Sequence, residues 1–229
     1  MEGKKEFGEG ILFTFTNYVY SLLLANFLFV SVNAVFIFFF MALEPSFSNI
    51  LIYMIALIPT GPTISGLLYV LEKLLRTKEA ITVSDYFYGY KTNIKNTLLL
   101  WCMILAVFSV LLIDLQYLNQ TALLIEQLIS IVLYILFLLA VLISINMLIL
   151  NAKFEFRKKD IFKLSIFYSF TYVKASLGNI FILLLIVFVT MLTSDFILLF
   201  VASIIGLLLI KNARRLLTDV EATFIKRDK

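Results

Sequence analysis

Long uncharged runs alternate along the chain with short segments that are rich in Lys and Arg. A helix rises about 1.5 Å per residue and needs about 20 apolar residues to cross the hydrocarbon core of a membrane. The uncharged runs therefore predict membrane-spanning helices. We place six of them at about residues 18–42, 47–71, 96–114, 127–151, 176–194 and 196–211.

The last two of these spans depend on a turn. Read as a single helix, residues 175–210 would be about 54 Å long, against a hydrocarbon core of about 30 Å. The sequence Thr-Ser-Asp at 193–195 interrupts the run. We therefore expect a tight turn there, with Asp195 capping a hairpin.

The distribution of charge fixes the expected orientation. All nineteen Lys and Arg fall before the first span, between the second and third, between the fourth and fifth, or after the last. The remaining connections hold only the acidic residues Glu44, Asp114, Glu126 and Asp195. Cytoplasmic loops collect Lys and Arg. This predicts an all-α, polytopic helical bundle of six spans with both termini in the cytoplasm, since five spans would leave the last basic segment outside.

Composition agrees with a single transmembrane domain over residues 1–229. Apolar residues make up 62% of the 229 residues, against roughly 45–50% in soluble proteins. With one cysteine, Cys102, and no His, we expect no internal disulfide, no metal site and no cofactor. A general base is usually His or a tuned carboxylate. Because the carboxylates lie in loops, we expect no catalytic residues and no enzymatic activity.

The second span contains two helix breakers. Pro59 and Pro62 flank Thr60 and Gly61, and proline removes an N–H and clashes with the carbonyl four residues earlier. We expect Pro59 to free the carbonyl of Ile55 and Thr60 to cap a new helix with Pro62 in its first turn. The second span should therefore be two half-helices.

Two interpretations of this break remain open. Free carbonyls and nearby amides could form a polar intramembrane site, or hydroxyl groups could seal a kink that lets helices pack. The candidate site comprises Asn26, Asn33, Pro59, Thr60, Gly61, Pro62, Thr63 and Asn146. The interior of the spans holds no Asp, Glu, Lys or Arg, whereas coupled carriers usually keep at least one ionisable group there.

The basic loops are predicted to be helical in part. Thr82 and Asp85 have the spacing of a capping box and should start a helix running toward Trp101. Residues 160–179 suit a helix lying in the membrane interface. A candidate partner-docking face comprises Tyr88, Tyr90, Lys91, Asn93 and Lys95. Attraction of the basic loops to anionic lipid is the simpler explanation of their charge.

Several segments resemble the YesL-like family of small bacterial integral membrane proteins. They are FGEGILF at 7–13, LANFLFV around Asn26, IPTGPTISGLLYVLEK at 58–73, VSDYFYGYKTNIKNTLLLW at 83–101 and NAKFEF at 151–156. The resemblance implies a multi-pass protein of the bacterial inner membrane without an established biochemical activity. Family members are often encoded near carbohydrate uptake genes, which implies a role beside sugar import. Functional weight would then fall on Asn26 and the Pro-Thr-Gly-Pro element.

Two hypotheses follow from these observations. The first is a non-enzymatic accessory to transport or membrane assembly, partnered by the lipid bilayer and by a transporter complex or a cytoplasmic protein. The second is a stand-alone carrier for a neutral polar solute that uses the broken second span. We expect no nucleic-acid partner, and the sequence does not indicate an oligomeric state.

Overall fold

The computed structural model of the protein describes residues 11–44, 46–92, 94–118, 123–193 and 197–225, and this part of the chain forms helices and no strands. The expected turn residues Ser194 and Asp195 lie outside the described residues, as does Asn93. The long helices are α1 Ile11–Val32, α2 Ala34–Ala42, α3 Ile50–Ala56, α4 Thr60–Thr77, α5 Val83–Lys91, α6 Ile94–Leu118, α7 Leu124–Lys153, α8 Lys158–Thr171, α9 Val173–Leu192, α10 Ile197–Asn212 and α11 Arg214–Val220. A 3₁₀ turn, Phe47–Asn49, precedes α3, and a π-helical turn, Glu221–Ile225, follows α11.

Length and composition make four of the described helices able to cross a membrane, namely α6, α7, α9 and most of α1. The bent pair Phe47–Ala56 and Thr60–Thr77 makes a fifth candidate if it counts as one span. At sixteen residues, α10 is shorter than a typical span. The fold is therefore a helical membrane protein with four or five candidate spans.

The first apolar run is interrupted, which its uniform hydropathy did not indicate. It starts as helix at Ile11 rather than near residue 18, and α1 gives way to α2 at Asn33. The Asn33 side chain donates from Nδ2 to the carbonyl of Phe29, 2.9 Å away. An Asn that bonds its own backbone competes with helix hydrogen bonding, which accounts for a break at this position.

The second span is broken where the prolines predict. The axes of the helices on either side of residues 57–59 differ by 56°. α4 then continues to Thr77, six residues beyond the predicted end of the span. It ends with Lys78 in the left-handed conformation, at φ 61°.

The buried core is concentrated at the basic end of the bundle. Leu71, Leu74, Tyr86, Leu150 and Tyr168 are each no more than 2% exposed, and they come from four different helices. Farther along the helices, large apolar side chains face outward, as Leu124 does at 78% and Met191 at 79%. The tightly packed part of the protein is thus the half next to the basic loops.

Helix α5 lies directly on α4. The predicted capping box is present: Asp85 N–H donates to Thr82 Oγ1 at 3.2 Å, and Thr82 N–H donates to Asp85 Oδ2 at 3.0 Å. The prediction of a continuous helix to Trp101 is wrong, because α5 ends at Lys91 and α6 begins at Ile94. The end of α5 at Lys91 lets this helix pack back on α4 while α6 enters the bundle.

Residues 160–179, predicted as one helix in the membrane interface, likewise belong to two helices. α8 ends at Thr171, and α9 starts at Val173 after Tyr172, whose φ of −99° and ψ of 60° are not helical. Ser176 Oγ spans the bend by donating to the carbonyl of Ser169, 2.6 Å away. In the tail, Leu216 and Val220 are buried as their spacing indicates, while Phe224 is 45% exposed.

The contact of α5 with α4 leaves no room at Gly89. A Cβ built on Gly89 would lie 2.5 Å from the Cβ of Tyr69. We therefore expect Gly89→Ala to lower the free energy of unfolding by about 1–3 kcal/mol through overpacking. Thermal unfolding in detergent measures this, with Ser84→Ala on the exposed side of α5 as the control. Equal midpoints for the two variants would contradict the close packing.

Candidate functional site at the broken second span

The break in the second span is joined to the break in the first. Thr60 Oγ1 donates to Oδ1 of Asn33 across 2.8 Å, and both side chains are buried. Thr60 does not cap the new helix, contrary to the sequence-based expectation. It is the first residue of α4, Pro59 holds the capping position, and no side chain caps the helix end. The Thr60 hydroxyl instead satisfies an amide on the neighbouring span.

The backbone carbonyls at the break have donors within the protein. The carbonyl of Leu57 accepts from Trp101 Nε1–H at 2.8 Å and from Thr60 N–H at 3.0 Å. Thr63 Oγ1 donates to the carbonyl of Pro59 at 2.9 Å. The carbonyl of Ile55 is not left free as expected, because Ile58 N–H donates to it at 3.1 Å. A tight turn therefore replaces the hydrogen bond that Pro59 cannot make. In lipid each unsatisfied group would cost several kcal/mol, so these donors stabilise the break.

Glycine is required where Trp101 reaches the break. A Cβ on Gly61 would lie 2.4 Å from Cγ of Trp101. The indole can therefore lie against the backbone of α4 and reach the carbonyl of Leu57 only because residue 61 has no side chain. Pro62 and Thr63 are buried beside it, whereas Pro59 is exposed.

An apolar crevice opens next to the Asn33–Thr60 pair. Its volume is about 330 Å³, and α1, α2, α4, α7 and α10 form its walls. Asn33 and Thr60 are the polar residues among its lining; the others are aliphatic, aromatic or glycine, including Phe29, Ile64 and Gly206. The two polar side chains already bond to each other. The crevice therefore offers hydrocarbon contact on nearly every side.

The remaining predicted site residues lie elsewhere. Asn26 Oδ1 accepts from the backbone N–H of Ser203 on α10 at 3.2 Å, and Asn146 Nδ2 donates to Ser169 Oγ on α8 at 2.8 Å. The structure thus brings Asn33 together with residues 59–63 and makes Asn26 and Asn146 links between helices.

Asn151 forms a similar link to Thr97 at 2.7 Å. Asn151 was not among the predicted site residues, although its position at the end of an apolar run was a signal that could have identified it.

The candidate docking face is presented by α5, which carries Tyr88, Tyr90 and Lys91, while Lys95 lies in the first turn of α6. Tyr88 is 56% exposed, Phe87 is 37% exposed, and Lys91 and Lys95 are exposed. Tyr90 is half-buried. The opposite side of α5 is fixed, because Tyr86 is fully buried and its hydroxyl donates to the carbonyl of Thr63 at 3.0 Å. Phe87 was not among the predicted residues, although it lies next to Tyr88.

An ion pair adds to this attachment. Lys73 Nζ donates to Asp85 Oδ1 at 2.7 Å, and the two side chains are 28% and 20% exposed. Burial by itself would raise the pKa of Asp85, but the hydrogen bonds from Lys73 and Thr82 outweigh it and lower the pKa below its usual range. The carboxylate is therefore ionised at neutral pH and holds both the helix start and α4.

A second set of polar contacts gathers the other basic segments at the same end of the bundle. Lys153 at the end of α7 pairs with Glu72 of α4 at 3.1 Å and with Glu221 at 3.5 Å. Tyr168 of α8 donates to Asp219 Oδ2 at 2.8 Å, and burial raises the pKa of the Tyr168 hydroxyl. Segments from α4, α7, α8 and the residues after α11 thus meet in one layer. Within the described part of the chain no group of three or more His, Cys, Asp or Glu could hold a metal ion.

These features define the class of protein as a polytopic α-helical membrane protein with an organised polar layer at one end. Residues 22–115, which include the break and α5, match the family model described as "Protein of unknown function, DUF624". No curated protein matches the chain, and no solved structure does. A match to a family of unknown function is consistent with the resemblance inferred from the sequence, while the YesL-like name stays an expectation.

The Trp101–Leu57 hydrogen bond gives a test of how the break is satisfied. Trp101→Phe keeps an aromatic ring but removes one donor, while Thr60 N–H still donates to the Leu57 carbonyl. We therefore expect a loss of about 0.5–1.5 kcal/mol in unfolding free energy. Tyr117→Phe, a 70% exposed position on the same helix, should change little. Thermal unfolding in detergent compares them. Unchanged stability in Trp101→Phe would mean that the backbone hydrogen bond from Thr60 N–H, 3.0 Å long, satisfies the Leu57 carbonyl by itself.

The low pKa of Asp85 predicts a pH dependence. Because the pKa is lower in the folded state, the stabilisation is present above the unfolded value, about 3.9, and is lost as pH falls through the folded value. Asp85→Asn should lose about 1–2 kcal/mol at neutral pH and show a weaker decline below about pH 4. Thermal unfolding between pH 3 and 7 measures this. Glu79→Gln, at an exposed position, is the control; a decline as steep as wild type in Asp85→Asn would refute the assignment.

Proposed function

We propose that the protein is a non-enzymatic accessory of the bacterial inner membrane that serves transport, including carbohydrate uptake, or membrane assembly. It acts by presenting a cytoplasmic surface to a transporter complex or a cytoplasmic protein. The family match covers part of the chain and assigns no activity. The proposal therefore depends on the arrangement of the polar layer and of α5.

One observation carries the proposal. Helix α5 exposes Phe87, Tyr88 and Lys91 while its other side is held to α4 by a capping box, an ion pair and the buried Tyr86. An aromatic and basic surface on a fixed backbone is what interface hot spots require, since Tyr contributes large contact area at low entropic cost. Attraction to lipid charge alone would not need such an attachment.

The proposed topology follows the positive-inside rule. The polar layer gathers Lys73, Lys153 and the segment after α11, and we assign this end to the cytoplasm. With α10 as a short sixth span, both termini lie on that side. The exposed face of α5 then points into the cytoplasm, where a partner can reach it.

The alternative is a carrier for a neutral polar solute that uses the crevice at the break. The position of the crevice beside Asn33 and Thr60 favours this function. The chemistry of its walls favours hydrocarbon, because a polar solute would find few hydrogen-bonding partners. The accessory function therefore agrees better with the described side chains.

Co-purification with matched variants tests the proposal. Tagged full-length protein is extracted from native membranes in mild detergent, and proteins present in stoichiometric amount are quantified. We expect such a partner with wild type and at least about a tenfold loss with Tyr88→Ala/Lys91→Glu, because hot-spot residues contribute about 2 kcal/mol or more.

The control is Phe167→Ala/Lys163→Glu, which alters an exposed aromatic and an exposed basic residue on α8. It should retain the partner. A partner that is kept by the α5 variant, or lost equally from both variants, contradicts docking at α5. If Thr60→Val removes solute uptake while the α5 variant is silent, the carrier function is correct instead.

A further inference from the structure

The seam between α9 and α10 has a basic cavity at the end next to the polar layer. This cavity measures about 540 Å³ and lies where α8 passes into α9 and α10 into α11. Lys174, Lys211 and Arg215 line it, together with Tyr172 and Asn212. All three cationic side chains are exposed, and none forms an ion pair with a described residue.

The local backbone adds positive potential to this cavity. The 20-residue helix α9 starts at Val173, and Val173 and Lys174 both line the cavity. The N-terminus of a helix carries a partial positive charge and free N–H groups. The carboxylate next to Tyr172 is that of Asp219, which already accepts a hydrogen bond from Tyr168. The cavity therefore suits an anion, and a phosphate in particular.

An apolar groove continues the same seam into the bundle. It measures about 160 Å³ and is lined entirely by Ile, Leu and Val side chains, including Ile182 and Ile186 of α9 and Val201 and Leu208 of α10. Ala175, at the basic cavity, and Ile182, in the groove, are two helical turns apart on one face of α9. On α10, Leu208 in the groove precedes Asn212 in the basic cavity by one turn.

A polar contact separates the two cavities. Asn212 Nδ2 donates to Asn179 Oδ1 at 2.8 Å and to the carbonyl of Ala175 at 2.7 Å. Asn179 is fully buried, and its Nδ2 has no acceptor among the described residues. Along the seam, the cationic groups come first, then the Asn212 and Asn179 amides with the Asn179 Nδ2 donor that is free among the described residues, and then the apolar groove.

We propose that the α9–α10 seam binds an anionic phospholipid from the leaflet next to the basic loops. Lys174, Lys211 and Arg215 hold the phosphate, and an acyl chain occupies the groove between α9 and α10. A free phosphate would occupy only the basic cavity and would leave the apolar groove empty. The groove lies at the lipid-facing surface, because its lining residues Leu185, Ile204 and Leu208 are 46%, 47% and 39% exposed. This inference needs the membrane class of the protein but not the docking function of α5.

The test uses delipidated full-length protein in detergent at fixed ionic strength. Its thermal unfolding midpoint is followed while dioleoylphosphatidylglycerol, dioleoylphosphatidylcholine or inorganic phosphate is added. We expect saturable stabilisation by phosphatidylglycerol alone. Lys211→Gln/Arg215→Gln should weaken this binding about 10- to 30-fold, since each cation near a lipid surface contributes about tenfold or less.

The matched control is Lys159→Gln/Lys163→Gln, which removes the same charge from exposed positions on α8. It should bind phosphatidylglycerol as wild type does. Equal losses in the two double variants would overturn the proposal in favour of diffuse charge attraction. Stabilisation by inorganic phosphate that matches phosphatidylglycerol would overturn the lipid assignment, and so would equal stabilisation by phosphatidylcholine.

Dihexanoylphosphatidylglycerol separates the contributions of head and tail, because it keeps the charged headgroup but has short chains. We expect it to bind at least about tenfold more weakly than the dioleoyl lipid, as each buried methylene contributes about 0.8 kcal/mol. Equal affinity for the two lipids would mean that the groove holds no acyl chain, which contradicts the proposal.

Discussion

The contact that ties the break in the second span to the rest of the bundle is the hydrogen bond from the Trp101 indole to the carbonyl of Leu57, which also accepts from Thr60 N–H. A chain that breaks inside a membrane must supply donors for its exposed carbonyls, because lipid supplies none. Trp101 does so from α6, and it can approach because residue 61 is glycine. The bend of 56° that results directs α4 toward the polar layer, where it receives α5. The kink therefore positions the exposed surface of α5.

The two breaks in the first two spans act as one unit. Asn33 bonds its own helix through Nδ2 and accepts from Thr60 through Oδ1, so one amide satisfies polar groups on both sides. Two adjoining interruptions leave space between helices, and the apolar crevice is that space. The same physical requirement, that polar groups pair inside the protein, produces both the packing and the cavity. Because the walls of the crevice are almost entirely apolar, they favour hydrocarbon over a polar solute.

Much of the helical organisation could be predicted from residue patterns, whereas the contacts between helices could not. Uncharged runs locate the last four predicted spans to within about four residues, whereas the first helix starts seven residues early and α4 ends six residues late. Thr82 and Asp85 predict the start of α5. Pro59 and Pro62 predict the break in the second span. The partner of Leu57 could not be found in this way, because a Trp at a membrane interface is equally expected to face lipid headgroups. The pairing of Asn33 with Thr60 could not be predicted either. Asn26 and Asn146 are also Asn residues in apolar runs, yet they form hydrogen bonds to other helices.

The two proposed sites share a physical logic, and each lies next to the polar layer. On α5, charge and aromatic area are held outward by a buried attachment. At the α9–α10 seam, charge faces a cavity, and an apolar groove lies farther along the same seam beyond the Asn212–Asn179 contact. A cation next to hydrocarbon gains most from a ligand that is itself amphiphilic, because headgroup pairing and chain burial then act together. Bound lipid would also fill the gap between α9 and α10, helices that otherwise share few buried residues. Such a lipid would join α9 to α10 and stabilise the segment after α11, which pairs with Lys153 through Glu221.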